Sequence, residues 1–355
     1  MRIGLTLYGS LDERSGGFHY DRKLLEGLRN AGDTVEVIEL PWRRYPRGLL
    51  DNASDTFRDR LDVDVDVMLQ DELAHPSLFR TNRRLPYPIV SVVHHLRASE
   101  SRRLSPLYRA VERRYLDTVD GVVCNSAVTR DVVTGLGVDH DATVVAPPAG
   151  DRFDPDTDAE TIDRRARERP LRLVFVGTIT PRKGLETLVE GLAEADADAE
   201  LTVIGRPANK RYVDDVRRRI RRHGLADRVR MAGECSDEAL AATLRSSHVL
   251  AVPSRYEGFG IVYLEGMSFG LPAIASRAGG ARDVVTDGEN GFLVDPDDPA
   301  AVARAIETFE RDRARLSRMG HAARRRYERH PDWSETTARV RRLLGATVSD
   351  AGVTV

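Results

Sequence analysis

Short apolar runs alternate with amphipathic segments along the whole chain. Several of the apolar runs are continuous, as is typical of strands buried in a parallel sheet. The segments between them, such as 20–30, 185–194 and 212–223, repeat apolar positions at helical spacing. Strand–helix alternation of this kind predicts an α/β fold with doubly wound parallel sheets. The predicted strands are 3–8, 34–40, 65–70, 89–94, 121–124, 143–146, 171–176, 201–204, 229–231, 249–252, 273–275 and 292–294.

The length of the chain predicts two domains. It has 355 residues, which is more than a single hydrophobic core usually covers. Pro147-Pro148 is followed by a polar segment, 151–169, that we interpret as a linker and an exposed helix. We therefore expect Rossmann-like domains at 1–160 and 161–330, then a terminal helix and tail at 331–355. In such folds ligands bind at the carboxyl ends of the strands, here in the cleft between the domains.

Composition narrows the class of protein. The chain is 41% apolar and 31% charged with a formal net charge of -2, which suits a globular protein and gives no electrostatic reason to expect nucleic-acid binding. Cys124 and Cys235 lie in apolar stretches without metal-ligand spacing, so we expect two buried free thiols. No signal segment and no apolar run of roughly 20 residues is present, which predicts a cytoplasmic protein.

The strongest motif begins where the strand 249–252 ends. The segment Pro253-Ser254-Arg255-Tyr256-Glu257-Gly258-Phe259-Gly260 forms a loop, and a helix follows that contains Glu265. A helix N-terminus after glycines suits a phosphate, because backbone N–H groups are exposed there without side chains in the way. Two carboxylates would repel phosphates, but they accept hydrogen bonds from the hydroxyls of sugars and riboses. The alternative is a helix cap with a solvated glutamate.

The motif resembles the E-x7-E signature of the retaining glycosyltransferases of family 4, which have the GT-B fold. The following Gly270-Leu271-Pro272, Ala275-Ser276, Gly279-Gly280, Asp287-Gly288 and Gly291-Phe292-Leu293-Val294 match that family in order and spacing. The resemblance implies that Glu257 contacts the donor sugar and Glu265 the ribose. It also implies that the backbone N–H groups of Gly258, Phe259 and Gly260 face sugar and phosphate.

The second motif is Gly177-Thr178-Ile179-Thr180-Pro181-Arg182-Lys183-Gly184, after the strand 171–176. It places two cations in a turn before a helix, where the helix dipole would repel cations that have no anionic ligand. Arg182 and Lys183 suit the negative charge that develops on a departing nucleoside diphosphate. They resemble the phosphate-binding Arg and Lys of the family. Many members carry Arg directly after the glycine, where this chain has Thr178, so either Arg182 substitutes for that arginine or one phosphate contact is missing.

Two weaker motifs lie in the first half. Gly16 and Gly17 follow the first strand, and in the family such a glycine pair lies near the diphosphate and acceptor, although a glycine pair alone usually marks only a turn. His94 ends the strand 89–94 and resembles the family histidine that lies beside the donor sugar. His95 replaces the aspartate that usually follows, and we do not assign it a role. A histidine at a strand end is more often structural.

No metal or cofactor is predicted. Asp62, Asp64 and Asp66 form a D-x-D pattern, but alternation along a strand puts them on one solvated face. The resembled family needs no divalent metal. G-x-G-x-x-G after the first strand and G-x-x-x-x-G-K-[ST] are both absent, which argues against a nicotinamide dehydrogenase and a P-loop protein.

Segment 101–117 carries Arg102, Arg103, Arg109, Arg113 and Arg114 beside apolar residues at helical spacing. A helix with a solvated basic face is the favoured interpretation. The alternative is peripheral contact with anionic lipid at the inner face of the membrane, or with a lipid-linked acceptor. In GT-B enzymes the terminal helix commonly crosses back onto the first domain, and Trp333 would then anchor it. The second domain's core is the alternative place for this tryptophan.

Together these motifs predict a retaining, metal-independent glycosyltransferase. Its first domain would bind an unidentified acceptor and its second a nucleotide-sugar donor, which is a substrate and not a cofactor. The predicted catalytic residues are Glu257, Lys183, Arg182 and His94, and the predicted donor-binding residues are Gly16, Gly17, Gly177, Gly258, Phe259, Gly260 and Glu265. The alternatives are a nucleotide-sugar epimerase of the same fold and a non-catalytic nucleotide-sugar-binding subunit.

Overall fold

The computed structural model describes residues 1–12, 15–100 and 104–352, and the chain divides into two compact units. The first unit comprises Met1–Ala149 with Pro331–Val355, and the second comprises Gly150–His330. The first boundary therefore lies earlier than the expected position between residues 160 and 161. The reason is that the segment after Gly150 packs on the second unit: the rings of Phe153 and Phe269 lie 5.6 Å apart.

The first unit is a six-stranded, wholly parallel sheet with strand order β2-β1-β3-β4-β5-β6. Its central strands are buried along their whole length, which explains their continuous apolar sequence. The strands are β1 Arg2–Tyr8, β2 Thr34–Leu40, β3 Val67–Asp71, β4 Ile89–Val93, β5 Gly121–Cys124 and β6 Thr143–Val145. The helices are α1 Gly16–Asn30, α2 Tyr45–Asp51, α3 Asp55–Asp59, α4 Arg97–Glu100, α5 Ser105–Leu116 and α6 Ala127–Thr134, with 3₁₀ turns Glu72–Ser77, Asn82–Arg84 and His140–Ala142.

The second unit is another six-stranded parallel sheet, with strand order β12-β11-β10-β7-β8-β9. Its strands are β7 Leu171–Val176, β8 Ala199–Ile204, β9 Val229–Gly233, β10 Val249–Val252, β11 Ala273–Ser276 and β12 Gly291–Val294. The helices are α7 Ala159–Arg167, α8 Leu185–Glu194, α9 Lys210–Arg222, α10 Asp237–Ser246, α11 Ile261–Ser268, α12 Pro299–Arg311 and α13 Arg313–Glu328, with 3₁₀ turns Pro181–Lys183 and Gly280–Asp283. The α/β prediction is thus confirmed.

The last helix, α14 Trp333–Asp350, packs on α1 and belongs to the first unit. Asp332 and Glu335 form a capping box that fixes its start. The ring of Trp333 meets that of Tyr20 edge-on at 5.3 Å, and Arg341 Nε donates to Asp33 Oδ2 at 2.7 Å. The terminal segment is therefore held by both apolar and ionic contacts within the first unit.

Two local expectations need correction. Cys124 is buried as expected, but Cys235 is exposed. Helix α7 is not simply exposed, because the buried Arg165 donates through Nη2 to the carbonyl oxygens of Phe269 at 2.8 Å and Gly270 at 3.0 Å. None of the helices formed by the described residues is both long and apolar enough to cross a bilayer.

Both sheets contain a point where the strand order reverses. In the first unit it lies between β1 and β3, and in the second between β7 and β10. Loops that leave the carboxyl ends of two such strands diverge to opposite faces of the sheet, which opens a crevice between them. These two sheet edges are therefore where a ligand site is expected in each unit.

Candidate functional site

In the second unit, Glu257 gathers both predicted cations around one buried carboxylate. It follows β10 and is 7% exposed. Lys183 Nζ donates to Glu257 Oε2 at 2.8 Å, and Ser254 Oγ donates to the same oxygen at 2.9 Å. Arg182 Nη1 lies 3.5 Å from Glu257 Oε1 and donates to Tyr256 O at 3.1 Å. The structure therefore brings Arg182, Lys183 and Glu257 together at the predicted strand edge.

The electrostatics of this group favour an ionised glutamate. Burial favours the neutral carboxyl of Glu257. The charges of Lys183 and Arg182, with hydrogen bonds from Lys183 and Ser254, outweigh burial and lower its pKa to about 2. One carboxylate between two cations leaves the group with a surplus of positive charge, which suits an incoming anion.

The loop after β7 and the loop after β10 are locked to each other by a close backbone approach. Gly184 has a φ of +67°, and a Cβ on it would lie 2.1 Å from the carbonyl oxygen of Pro253. Only glycine fits such a place. Arg255 N also donates to Arg182 O at 2.7 Å. Glu257 therefore meets Lys183 because the backbone holds the two loops in contact.

A second close approach supports the other side of Glu257. Gly280 N donates to Glu257 O at 2.7 Å, and a Cβ on Gly279, whose φ is +89°, would lie 2.0 Å from that oxygen. This explains the glycine pair that follows β11. The chain continues from this contact through Gly258, Phe259 and Gly260 to α11. Gly260 is the N-cap residue of that helix and makes no side-chain cap hydrogen bond. Gly177 lies at the end of β7 with a φ of +145°.

Glu265 lies inside α11 and is 8% exposed. Arg152 Nη1 lies 3.6 Å from Glu265 Oε1, and Arg152 Nη2 donates to Asp237 Oδ1 at 2.6 Å. Burial raises the pKa of Glu265, and Arg152 opposes that rise. Sequence reasoning missed Arg152, because it lies in a segment interpreted as a linker and no motif marks it.

In the first unit, His94 is held by the start of α1. It follows β4, and its Nε2 lies 3.2 Å from Oδ1 of the fully buried Asp21. The ring of Tyr20 meets it edge-on at 5.2 Å. A Cβ on Gly17 would lie 3.1 Å from His94 Cδ2, so Gly17 leaves room for the imidazole. Gly16 is the first residue of α1, and a Cβ there would meet nothing within 4 Å.

Buried acids surround His94. Burial favours its neutral form, but the charges of Asp21, Asp71 and Glu72 outweigh burial and raise the pKa of His94 to about 9. Asp71 ends β3; burial first, and the charge of Asp21 second, raise its pKa, and the charge of His94 opposes that rise. Glu72 Oε2 accepts from the backbone N–H of His94 at 3.2 Å. None of these three acids was predicted, since each pairing depends on strand order.

Asp21, Asp71 and His94 are, among the described residues, the one group whose ligating atoms lie close enough together for a metal ion, within 4.8 Å. Within this group His94 Nε2 lies 3.2 Å from Asp21 Oδ1. Two of the three D-x-D aspartates, Asp64 and Asp66, pair with Arg2. Asp66 is buried, so it does not lie on the solvated face that the sequence predicted.

Comparisons with known proteins identify the family of the chain. A model of glycosyl transferases group 1 matches residues 156–326, and a model of glycosyltransferase family 4 matches residues 14–151. Phosphatidyl-myo-inositol mannosyltransferase of Mycobacterium leprae is 30% identical over 383 residues, which cover 99% of this chain and 98% of that protein. D-inositol 3-phosphate glycosyltransferase of Corynebacterium glutamicum is 31% identical over 269 residues, which cover 72% of this chain but 62% of that protein. The chain thus spans less than two thirds of the latter relative.

Solved structures share the fold. Sucrose-phosphate synthase from Thermosynechococcus elongatus superposes with a TM-score of 0.81 at 23% identity, covering 98% of this chain and 99% of that one. Anabaena HepE in complex with UDP superposes with a TM-score of 0.75 at 19% identity, covering 98% and 100%. Two Rossmann-like units of this kind define the GT-B class. Within that class, the chain belongs to the group 1 glycosyltransferases, and specifically to family 4.

Proposed function

We propose that the protein transfers a sugar from a nucleoside-diphosphate sugar to an acceptor hydroxyl, with retention of anomeric configuration and without a metal. The observation that carries the proposal is the pairing of the buried Glu257 with Lys183 and Arg182 at the strand-order reversal of the second unit. Its surplus positive charge suits the diphosphate. Glu265, eight positions further along the chain, is a buried acceptor for ribose hydroxyls.

In this proposal Arg182 and Lys183 stabilise the diphosphate as the bond from the anomeric carbon to its oxygen breaks. Glu257 and the backbone of Gly258–Gly260 orient the sugar. The acceptor oxygen bonds to the anomeric carbon on the face that the diphosphate leaves, and the departing phosphate takes the acceptor's proton. The role of His94 beside the donor sugar rests on the family resemblance.

The acceptor is proposed from the relatives. One is named for D-inositol 3-phosphate and another for phosphatidyl-myo-inositol. The chemistry common to both is a polyol that carries a phosphate group. We therefore propose an inositol-phosphate acceptor, free or lipid-linked, and assaying both with one donor distinguishes the two sources.

Donor binding should depend on Glu265. A screen of nucleotide-sugars by thermal shift, including GDP-mannose and UDP-glucose, is expected to find one that stabilises the protein, by about 2.7 kcal/mol at 100 times its Kd. Glu265→Gln should weaken that donor about tenfold, because an amide accepts hydroxyl hydrogen bonds less strongly than a carboxylate. Glu200→Gln, an exposed position on β8, is the matched control. Equal affinities in the two variants would contradict the assignment of Glu265.

Removing divalent metals should leave turnover unchanged. The protein supplies the positive charge through Arg182 and Lys183, and an added ion is not needed to neutralise the diphosphate. Turnover of the purified protein is measured with and without EDTA. A loss that Mg²⁺ or Mn²⁺ restores would refute the metal-independent mechanism.

The two alternatives give different products in the same assays. An epimerase would isomerise the donor in the absence of any acceptor. A non-catalytic subunit would bind the donor and turn over neither inositol phosphate nor phosphatidylinositol. Formation of a glycosylated acceptor excludes both.

A further inference from the structure

Exposed large apolar side chains are confined to one part of the described chain. All of them belong to the first unit, and they lie in the segment that leads into and forms α2, in the 3₁₀ turn Glu72–Ser77, and at the start of α5. Isolated exposed apolar residues are ordinary, but their confinement to three segments is not. The residues, with their exposed fractions, are Trp42 56%, Leu50 73%, Leu73 36%, Leu104 50% and Leu107 55%.

The three segments pack against one another and so form one surface. The rings of Tyr45 on α2 and Tyr108 on α5 meet at 4.7 Å. The guanidinium of Arg97 lies over both rings, 5.3 Å and 5.0 Å from their centroids. Tyr45 Oη is hydrogen-bonded to His75 Nε2 at 3.2 Å, which ties α2 to the 3₁₀ turn. We call the exposed side of residues 42–50, Leu73 and 104–114 the apolar–basic surface.

This surface is positively charged. Residues 41–50 contain no carboxylate, and the only one in 104–116 is Glu112, which is fully buried. The arginines exposed on or beside the surface are Arg44, Arg47, Arg97, Arg109, Arg113 and Arg114. Arg102 and Arg103, which prompted the expectation of a basic helix, lie outside the described residues.

We propose that the apolar–basic surface binds the face of an anionic lipid bilayer. Leucine and tryptophan side chains of this exposure can enter the headgroup–acyl boundary, and arginines among them meet lipid phosphates. Charge complementarity selects this occupant, because a surface of arginines without exposed carboxylates attracts anionic lipid and repels a second copy of itself. The proposal does not depend on the proposed reaction, and lipid binding is measured without a sugar donor.

The test is flotation of the full chain with phosphatidylcholine vesicles, with or without phosphatidylglycerol, at low and high salt. Binding is expected only to the vesicles that contain phosphatidylglycerol, and salt should weaken it. Leu50→Ser with Leu107→Ser, and separately Arg47→Glu with Arg109→Glu, should each lower binding about tenfold or more. All four side chains are exposed, so the variants should fold.

Arg221→Glu with Arg222→Glu is the matched control, since it makes the same charge change at exposed positions at the end of α9 in the second unit. It should leave vesicle binding unchanged. The proposal is overturned if anionic vesicles do not bind the protein, or if the control lowers binding as much as the surface variants. It is also overturned if light scattering shows a dimer that Leu50→Ser with Leu107→Ser dissociates, because a second copy would then cover the surface.

Discussion

Replacing Lys183 by alanine is expected to lower turnover on the order of 10²-fold or more and also to destabilise the protein. The loss of turnover follows from removing a preorganised cation from the proposed diphosphate site. The loss of stability follows because the Glu257 carboxylate, 7% exposed, would keep its buried charge without its nearest partner. Breaking a buried ion pair in this way costs about 3 kcal/mol, and urea denaturation at neutral pH measures it.

A second substitution separates the two effects. Adding Glu257→Gln to Lys183→Ala removes the uncompensated charge, so most of the lost stability should return, whereas turnover should not. Lys210→Ala, an exposed lysine at the start of α9, is the control and should change neither quantity. Near-normal turnover in Lys183→Ala would contradict the proposed site, and an unrecovered stability would contradict the role of the ion pair.

The pH dependence of the free energy of unfolding should show that this ion pair stabilises the folded protein. The pKa of Glu257 is depressed to about 2, below its ordinary value of 4.5, so the ionised carboxylate stabilises the folded protein above about pH 4.5. That contribution is lost as the pH falls through about 2. In Lys183→Ala the pKa of Glu257 rises, so the destabilisation should be largest at neutral pH and should shrink in acid.

The central strands were easy to predict because they are apolar runs buried on both faces, as in β3, β4, β10 and β11. All twelve predicted strands are present, including edge strands such as β12 Gly291–Val294. The E-x7-E motif and the cations after β7 were also recognisable, since each is local in the chain. That Lys183 meets Glu257, 74 positions away, depends on β7 and β10 being neighbours, which local patterns do not encode.

One physical reason explains why several residues of the site could not be predicted from the sequence. Asp21, Asp71 and Arg152 act through partners that are distant in sequence, and acidic or basic residues on a helix or loop normally indicate a solvated face. Only strand order brings β3 and β4 side by side and places the end of β3 near His94. Arg182 is different: that it substitutes for the family arginine at the position of Thr178 stays one of two alternatives, although it lies 3.5 Å from Glu257.

Replacing Asp21 by asparagine is expected to change how turnover depends on pH, and not only to lower turnover equally at every pH. Asp21 supplies the nearest negative charge to His94, at 3.2 Å, and the pKa of His94 is about 9 in its presence. Without that charge, burial lowers the pKa, and only Asp71 and Glu72 still raise it. If His94 acts as an imidazolium, turnover at about pH 8 should fall about tenfold or more, with a much smaller loss at about pH 6.

Stability should follow the same titration. Because the folded-state pKa of His94 is raised above 6.5, its ion pair with Asp21 stabilises the protein fully below about pH 6.5, and that contribution is lost as the pH rises through about 9. Asp33→Asn is the matched control, because this aspartate is also buried in the first unit and ion-paired. It lies at the amino end of β2, whereas His94 follows the carboxyl end of β4. Asp33→Asn should lower the free energy of unfolding and leave the pH profile of turnover unchanged. If Asp21→Asn instead lowers turnover by the same factor at every pH, Asp21 supports the fold and does not set the charge of His94.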